Sequence, residues 1–132
     1  MHSHPMIAAH PDVNGRVNDA LIAAIDAAGD CAQACVSCAD ACTAESMVGE
    51  LRQCIRLNLD CADVCDALMR VGARRTGANE EVIRRLLDAC VVACRRCAEE
   101  CERHESRHEH CRICAETCRI CERTCEGALA SM

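Results

Sequence analysis

The sequence contains no Phe, Tyr or Trp. Without aromatic rings there is no stacking platform for bases and no cage for a quaternary ammonium. Lysine is absent too, all fifteen basic residues being Arg. That removes the amine of Schiff-base chemistry and the lysine of a phosphate loop. The net charge of −6 and pI of about 5.5 are the wrong sign for a polyanion, so no nucleic-acid or membrane partner is expected. No stretch approaches the roughly 20 apolar residues of a membrane span. Residues 6–9 form the only early apolar run, too short for the core of an export signal, and no Arg pair precedes them. A cytosolic location is expected, where thiols stay reduced.

That expectation matters because the chain has 16 Cys. In an oxidising compartment they would suggest a disulfide scaffold; in a reducing one they point to metal. Gly, Pro and cap residues divide the sequence into a flexible tail (1–11), carrying His2, His4 and His10, and one domain (12–132). Helical patterning runs from the tail to about Cys42, and a turn at 43–46 ending in a Ser46 cap opens a second helix reaching about Arg75. Gly77 is a stop signal. Asn79 caps a third helix with Glu80 and Glu81 in its first turn, and Ser106 with Glu109 reads as a capping box for a fourth, closed by Gly127. The fold class is all-α: an antiparallel four-helix bundle with a Cys-lined core.

One spacing repeats. Helix 1 carries Cys31, Cys35, Cys38 and Cys42; helix 3 carries Cys90, Cys94, Cys97 and Cys101. Helix 4 carries Cys114, Cys118, Cys121 and Cys125, with Cys111 added before them. Helix 2 has Cys54, Cys61 and Cys65 in the same pattern, with Asn58 in the second slot. Alternating steps of four and three keep side chains on one helix face, the stripe that holds Leu and Ile in an ordinary bundle. All four stripes therefore face inward. Packing is the plain alternative, because free Cys behaves as a small hydrophobe. Yet a core of Cys and Ala buries little carbon, at about 25 cal/mol per Å², and three full copies of the run are not chance.

Three sulfur-bound options compete. Iron–sulfur ligands cup a cluster on loops, whereas this spacing makes a column. Zinc prefers closed tetrahedral sites, but sixteen thiolates with about four divalent ions would bury some eight uncompensated negative charges. Cu(I) can be bridged by thiolates, and about one ion per thiolate brings the core near neutrality. Charge favours copper. A dithiol redox enzyme is disfavoured because the C-x2-C pairs are mid-helix, away from the exposed helix N-termini where reactive pairs sit.

The same pattern orients the bundle. One end collects Cys42, Met47, His104, His108 and His110; the other collects Leu21, Ile25, Leu68, Ile83 and Leu87, an apolar plug. His104 continues the helix 3 stripe, and His108 and His110 flank the helix 4 stripe. Imidazole there suits passage of Cu(I) between solvent and thiolate, against the alternative of a solvated turn. Met47, seven before Cys54, faces inward as a ligand or as packing. Asn58 points its amide at the column, as weak ligand or as hydrogen-bonding spacer.

With these stripes and this mouth, residues 17–127 resemble the bacterial copper storage proteins, in particular their cytosolic branch. The resemblance implies a Cu(I)-storing bundle rather than an enzyme, usually tetrameric, with many ions held by Cys. It implies Cu(I) binding by all sixteen Cys, with His104, His108 and His110 at the mouth and Asn58 as a supplementary ligand. The Ala-rich outer positions Ala32, Ala39 and Ala44 permit close packing between chains.

Overall fold

The computed structural model describes residues 1–132. The elements are α1 (Ser3–Ala8), α2 (Asp19–Ala44), α3 (Arg52–Gly72), α4 (Glu80–Glu102) and α5 (Glu109–Ala130), with a 3₁₀ turn (Val48–Leu51) leading into α3. Helices α2 to α5 form the expected bundle. Each packs on two neighbours, α2 on α3 and α5, α4 on α3 and α5, so the four enclose one axis. At the start of α2, Asn18 Oδ1 accepts from the Leu21 N–H at 3.0 Å, while its Nδ2 donates to Ser131 Oγ at 3.1 Å. That pair ties the beginning of the bundle to its end.

Several boundaries differ from the sequence expectation, each for a local reason. The segment expected as a flexible tail carries α1, which packs on α2 through Ile7, 6 % exposed. Two polar contacts fasten the segment to the α3–α4 turn: the Gly77 N–H donates to Asp12 Oδ2 at 2.9 Å, and His10 Nε2 lies 3.1 Å from Thr76 Oγ1. One apolar side chain outweighs the Pro and His content. The bundle's first helix begins at Asp19 because Asn14 (φ 50°) and Gly15 (φ 77°) turn the chain through the left-handed region, which Gly and Asn tolerate best.

Ser46 does not cap α3. The chain tightens into the 3₁₀ turn instead, burying Leu51, and α3 ends at Gly72, short of Arg75. A Cβ at Gly72 would meet Ile25 Cγ1 at 2.9 Å, so glycine lets α2 and α3 close over the plug. Asn79 occupies the N-cap position of α4 without capping it; its Nδ2 donates back to the Arg74 carbonyl at 2.8 Å. In α5 the N-cap position falls to His108, not Ser106, and the helix passes Gly127 to Ala130. Finally, α2 reaches a mean hydropathy of 1.3 over an 18-residue window, enough by length and composition to cross a membrane, contrary to the expectation that no stretch does. Its Ala and Cys supply that value, and its apolar stripe is buried in the bundle.

Candidate metal centre

All sixteen Cys are buried and free. The period-3.5 stripes meet as the sequence implies, and the sulfurs form one connected network. Neighbouring Sγ atoms on different helices lie 3.3 Å apart for Cys65 and Cys90, 3.6 Å for Cys35 and Cys118, and 3.7 Å for Cys54 and Cys101. Sets whose Sγ atoms all lie within 4.8 Å of one another mark successive levels: Cys31, Cys65, Cys94 and Cys121; then Cys31, Cys35, Cys61 and Cys118; then Cys35, Cys97, Cys114 and Cys118; and nearest the mouth Cys38, Cys42, Cys54 and Cys111.

The spacing alone does not choose a metal. A Zn–S bond of about 2.3 Å implies tetrahedral sulfur edges of about 3.8 Å, close to those seen. Sharing, taken with charge, favours one. Cys31, Cys35 and Cys118 each belong to two sets, so closed four-sulfur sites would compete for the same atoms, whereas bridging thiolates serve both. Soft, low-coordinate Cu(I) meets that condition and the charge condition together.

Asn58 is fully buried between levels. Its Oδ1 accepts from Cys114 Sγ at 3.0 Å and Cys97 Sγ at 3.1 Å, and its Nδ2 donates to Cys54 Sγ at 3.5 Å. Every near partner is a thiol, so a neutral amide satisfies the site where a carboxylate would not. Asn58→Asp is therefore expected to destabilise the metal-free protein by about 3 kcal/mol at neutral pH, because the carboxyl must ionise unpaired or stay protonated well above its ordinary range. A buried acid with a raised pKa loses stability as pH rises, so the gap to the parent should widen from pH ~5 to ~7 in urea titrations under reductant. A constant gap would contradict it.

At the plug end Leu21, Ile25, Leu68, Ile83 and Leu87 are all buried, as expected. Of the remaining histidines, His4 lies 3.5 Å from Asp19 and His10 is bonded at Thr76; both sit by the plug, away from the mouth. Met47 is half-buried ahead of the 3₁₀ turn, so the heptad step that would aim it inward is broken.

The mouth is where the α2–α3 and α4–α5 turns meet. His104 and His108 are each 8 % exposed, and His110 is half-buried. His110 Nδ1 lies 3.4 Å from Cys38 Sγ and 3.6 Å from Cys111 Sγ, continuing the network outward. Two residues that the sequence reading missed complete it. Glu45 Oε2 lies 2.9 Å from His108 Nδ1 and 3.0 Å from His110 Nε2, and Glu100 Oε2 lies 2.8 Å from His104 Nε2. The hydrogen bond with His110 holds the Glu45 carboxyl below its usual range. For Glu100 the i, i+4 spacing to His104 was a usable signal; Glu45 is 65 residues from His110 and gave none. Just inside, burial and then Cys54 push the Cys42 thiol up to about 11.

Comparison with known proteins agrees with this geometry. A copper storage protein from Streptomyces lividans, loaded with 10 copper equivalents, is 44 % identical with a TM-score of 0.93, covering 98 % of this chain and 99 % of that one. A five-copper structure of the cytosolic copper storage protein of that organism is 48 % identical (TM-score 0.84), over 86 % of this chain and 95 % of that one. An uncharacterized cysteine-rich protein of Bacillus subtilis is 35 % identical over 93 residues, 70 % of this chain and 81 % of its own length. The family described as copper storage protein matches residues 17–130. With a match over nearly the whole bundle, this chain belongs to the copper storage protein family.

Proposed function

We propose that this protein is a cytosolic store and buffer of Cu(I), with all sixteen Cys as ligands, Asn58 as a supplementary oxygen ligand beside Cys97 and Cys114, and His104, His108 and His110 passing ions at the mouth. The observation that carries it is the sharing of buried sulfurs between adjacent sets, joined to family membership. Copper is cargo here: the buried thiols offer ligands for ions, and the thiol column is closed at one end by the plug. Assembly into a homotetramer through the outer faces is part of the proposal, by resemblance to the family. The metal's donor and recipient are partners of unassigned identity.

An anaerobic Cu(I) titration against a competing chelator tests the reading. Saturation near one ion per thiolate is expected, and saturation below about four ions per chain would end it. Helix formation is expected to need no metal, because the plug and the buried helix faces supply the packing; far-UV circular dichroism is expected to match with and without copper.

Loading should also depend on pH. Cu(I) takes thiolate, so each thiol engaged releases its proton. With Cys42 held up near 11, protons compete throughout the neutral range. Affinity should fall as pH falls, by up to about tenfold per unit for each proton displaced. Chelator competition at two pH values, corrected for the chelator's own protonation, would read this; an affinity independent of pH would count against thiolate as the ligand.

A further inference from the structure

The three mouth imidazoles share one arrangement: each has one ring nitrogen on a carboxylate and the other turned away from it. His108 Nδ1 and His110 Nε2 both meet Glu45 Oε2, and His104 Nε2 meets Glu100 Oε2. A carboxylate only accepts, so a nitrogen on it must carry the proton, and in a neutral imidazole the opposite nitrogen is then the lone pair. For His110 that opposite atom is Nδ1, facing the Cys38 and Cys111 sulfurs. For the other two it is His104 Nδ1 and His108 Nε2, both buried with no hydrogen-bond partner. Buried polar atoms in proteins are nearly always paired. Two orphans at one opening, each opposite a carboxylate, point to nitrogens whose partner is a ligand rather than a protein group.

The carboxylates are themselves held. Glu100 is 9 % exposed, and its other oxygen lies 3.5 Å from Arg103. Glu45 Oε2 is hydrogen-bonded to His110 Nε2 and lies 2.9 Å from His108 Nδ1, and the two rings stack with centroids 5.5 Å apart and planes 22° from parallel, so a single carboxylate sits against both rings. Metal-binding imidazoles commonly have such a carboxylate behind them, setting the ring's orientation and raising the basicity of the ligating nitrogen.

We propose that Glu45 and Glu100 are the positioning residues of copper uptake, presenting His104 Nδ1, His108 Nε2 and His110 Nδ1 as the ligating atoms. This rests on the reading of the three histidines as the path to the thiols. Glu45 is the sharper test, because it joins the two turns and serves two rings.

Two measurements on the full-length protein separate the inference from that reading. Long-range 15N–1H correlation spectra of the reduced, metal-free protein report the tautomers directly. The expected protons are on Nε2 of His104, Nδ1 of His108 and Nε2 of His110; in Glu45→Ala the last two should lose their fixed form. Imidazolium at these rings, or the opposite tautomers, would overturn the proposal. The second measurement is stopped-flow transfer of Cu(I) from a coloured chelate. Glu45→Ala should slow the transfer about tenfold, as loss of such a partner usually does, with the final copper count and urea midpoint little changed. Glu45→Gln, whose amide oxygen still accepts one N–H, should recover part of the rate. In a His108→Ala/His110→Ala background, Glu45→Ala should add no further slowing; additional slowing there would show that Glu45 acts otherwise than through the rings. If His108→Ala/His110→Ala itself takes up copper at the parent rate, the mouth reading fails, and the spectra still decide whether Glu45 sets the tautomers.

Discussion

Replacing Cys118 with alanine is expected to remove about two Cu(I) ions from the saturated protein, whereas Cys125→Ala should remove at most about one. Both variants delete a single fully buried thiol. They differ in connection. Cys118 Sγ lies 3.6 Å from Cys35, 3.7 Å from Cys31 and 4.0 Å from Cys114, and it belongs to two of the sulfur sets. Cys125 has Cys121 at 3.9 Å as its hydrogen-bonding neighbour, at the end of the column beside the plug. If thiolates bridge, removing a shared sulfur takes a ligand from two neighbouring positions and leaves the flanking ions under-coordinated. If each ion had its own closed set, the two losses would be equal. Anaerobic titration endpoints for the two proteins decide it, and equal endpoints would end the bridged-column account.

Leu87→Ala is expected to cost about 3 kcal/mol of the metal-free protein's stability, while leaving the copper count at saturation unchanged. Only eight buried side chains are Leu or Ile: Ile7, Leu21, Ile22, Ile25, Leu51, Leu68, Ile83 and Leu87. The rest of the apolar core is Ala and Cys, which bury too little carbon to replace a lost isobutyl group. Domains are stable by only about 5–15 kcal/mol, so this one truncation removes a large share. Copper held more tightly by the native column than by the thiols of the unfolded chain adds stability by mass action, lessened by whatever the unfolded thiols bind, so excess Cu(I) should raise the variant's urea midpoint. Urea unfolding under reductant, with and without copper, checks both halves. A reduced copper count in Leu87→Ala would show that the plug and the thiol column are a single cooperative unit rather than two joined parts.

The two variants probe the division that makes the molecule work. The sulfur column gives up apolar burial for metal capacity, and the plug supplies at one end the larger apolar side chains that the column lacks. The mouth lies at the other end, where the loops already had to be polar. The N-terminal segment shows the same economy of apolar groups: Ile7 is its one buried side chain, and Asp12 and His10 add polar contacts to the α3–α4 turn.

The Cys spacing by itself determined the bundle, the inward direction of the thiols, the plug and the end at which the histidines gather. All of these follow from helical periodicity, which a sequence displays directly. Helix ends were less legible: Ser46, Asn79 and Ser106 carry cap-forming side chains, yet none caps, because a 3₁₀ turn, a backbone carbonyl of the preceding turn and the seating of His108 compete locally. Glu45 was invisible for a different reason. Its meaning lies in a contact 65 residues away along the chain, made only when two turns on separate helix pairs are brought together. The sharing of sulfurs between levels was settled in the same way, by where four helices rest against each other. Periodicity says which side of a helix a residue occupies; the approach of one helix to the next says which atoms meet.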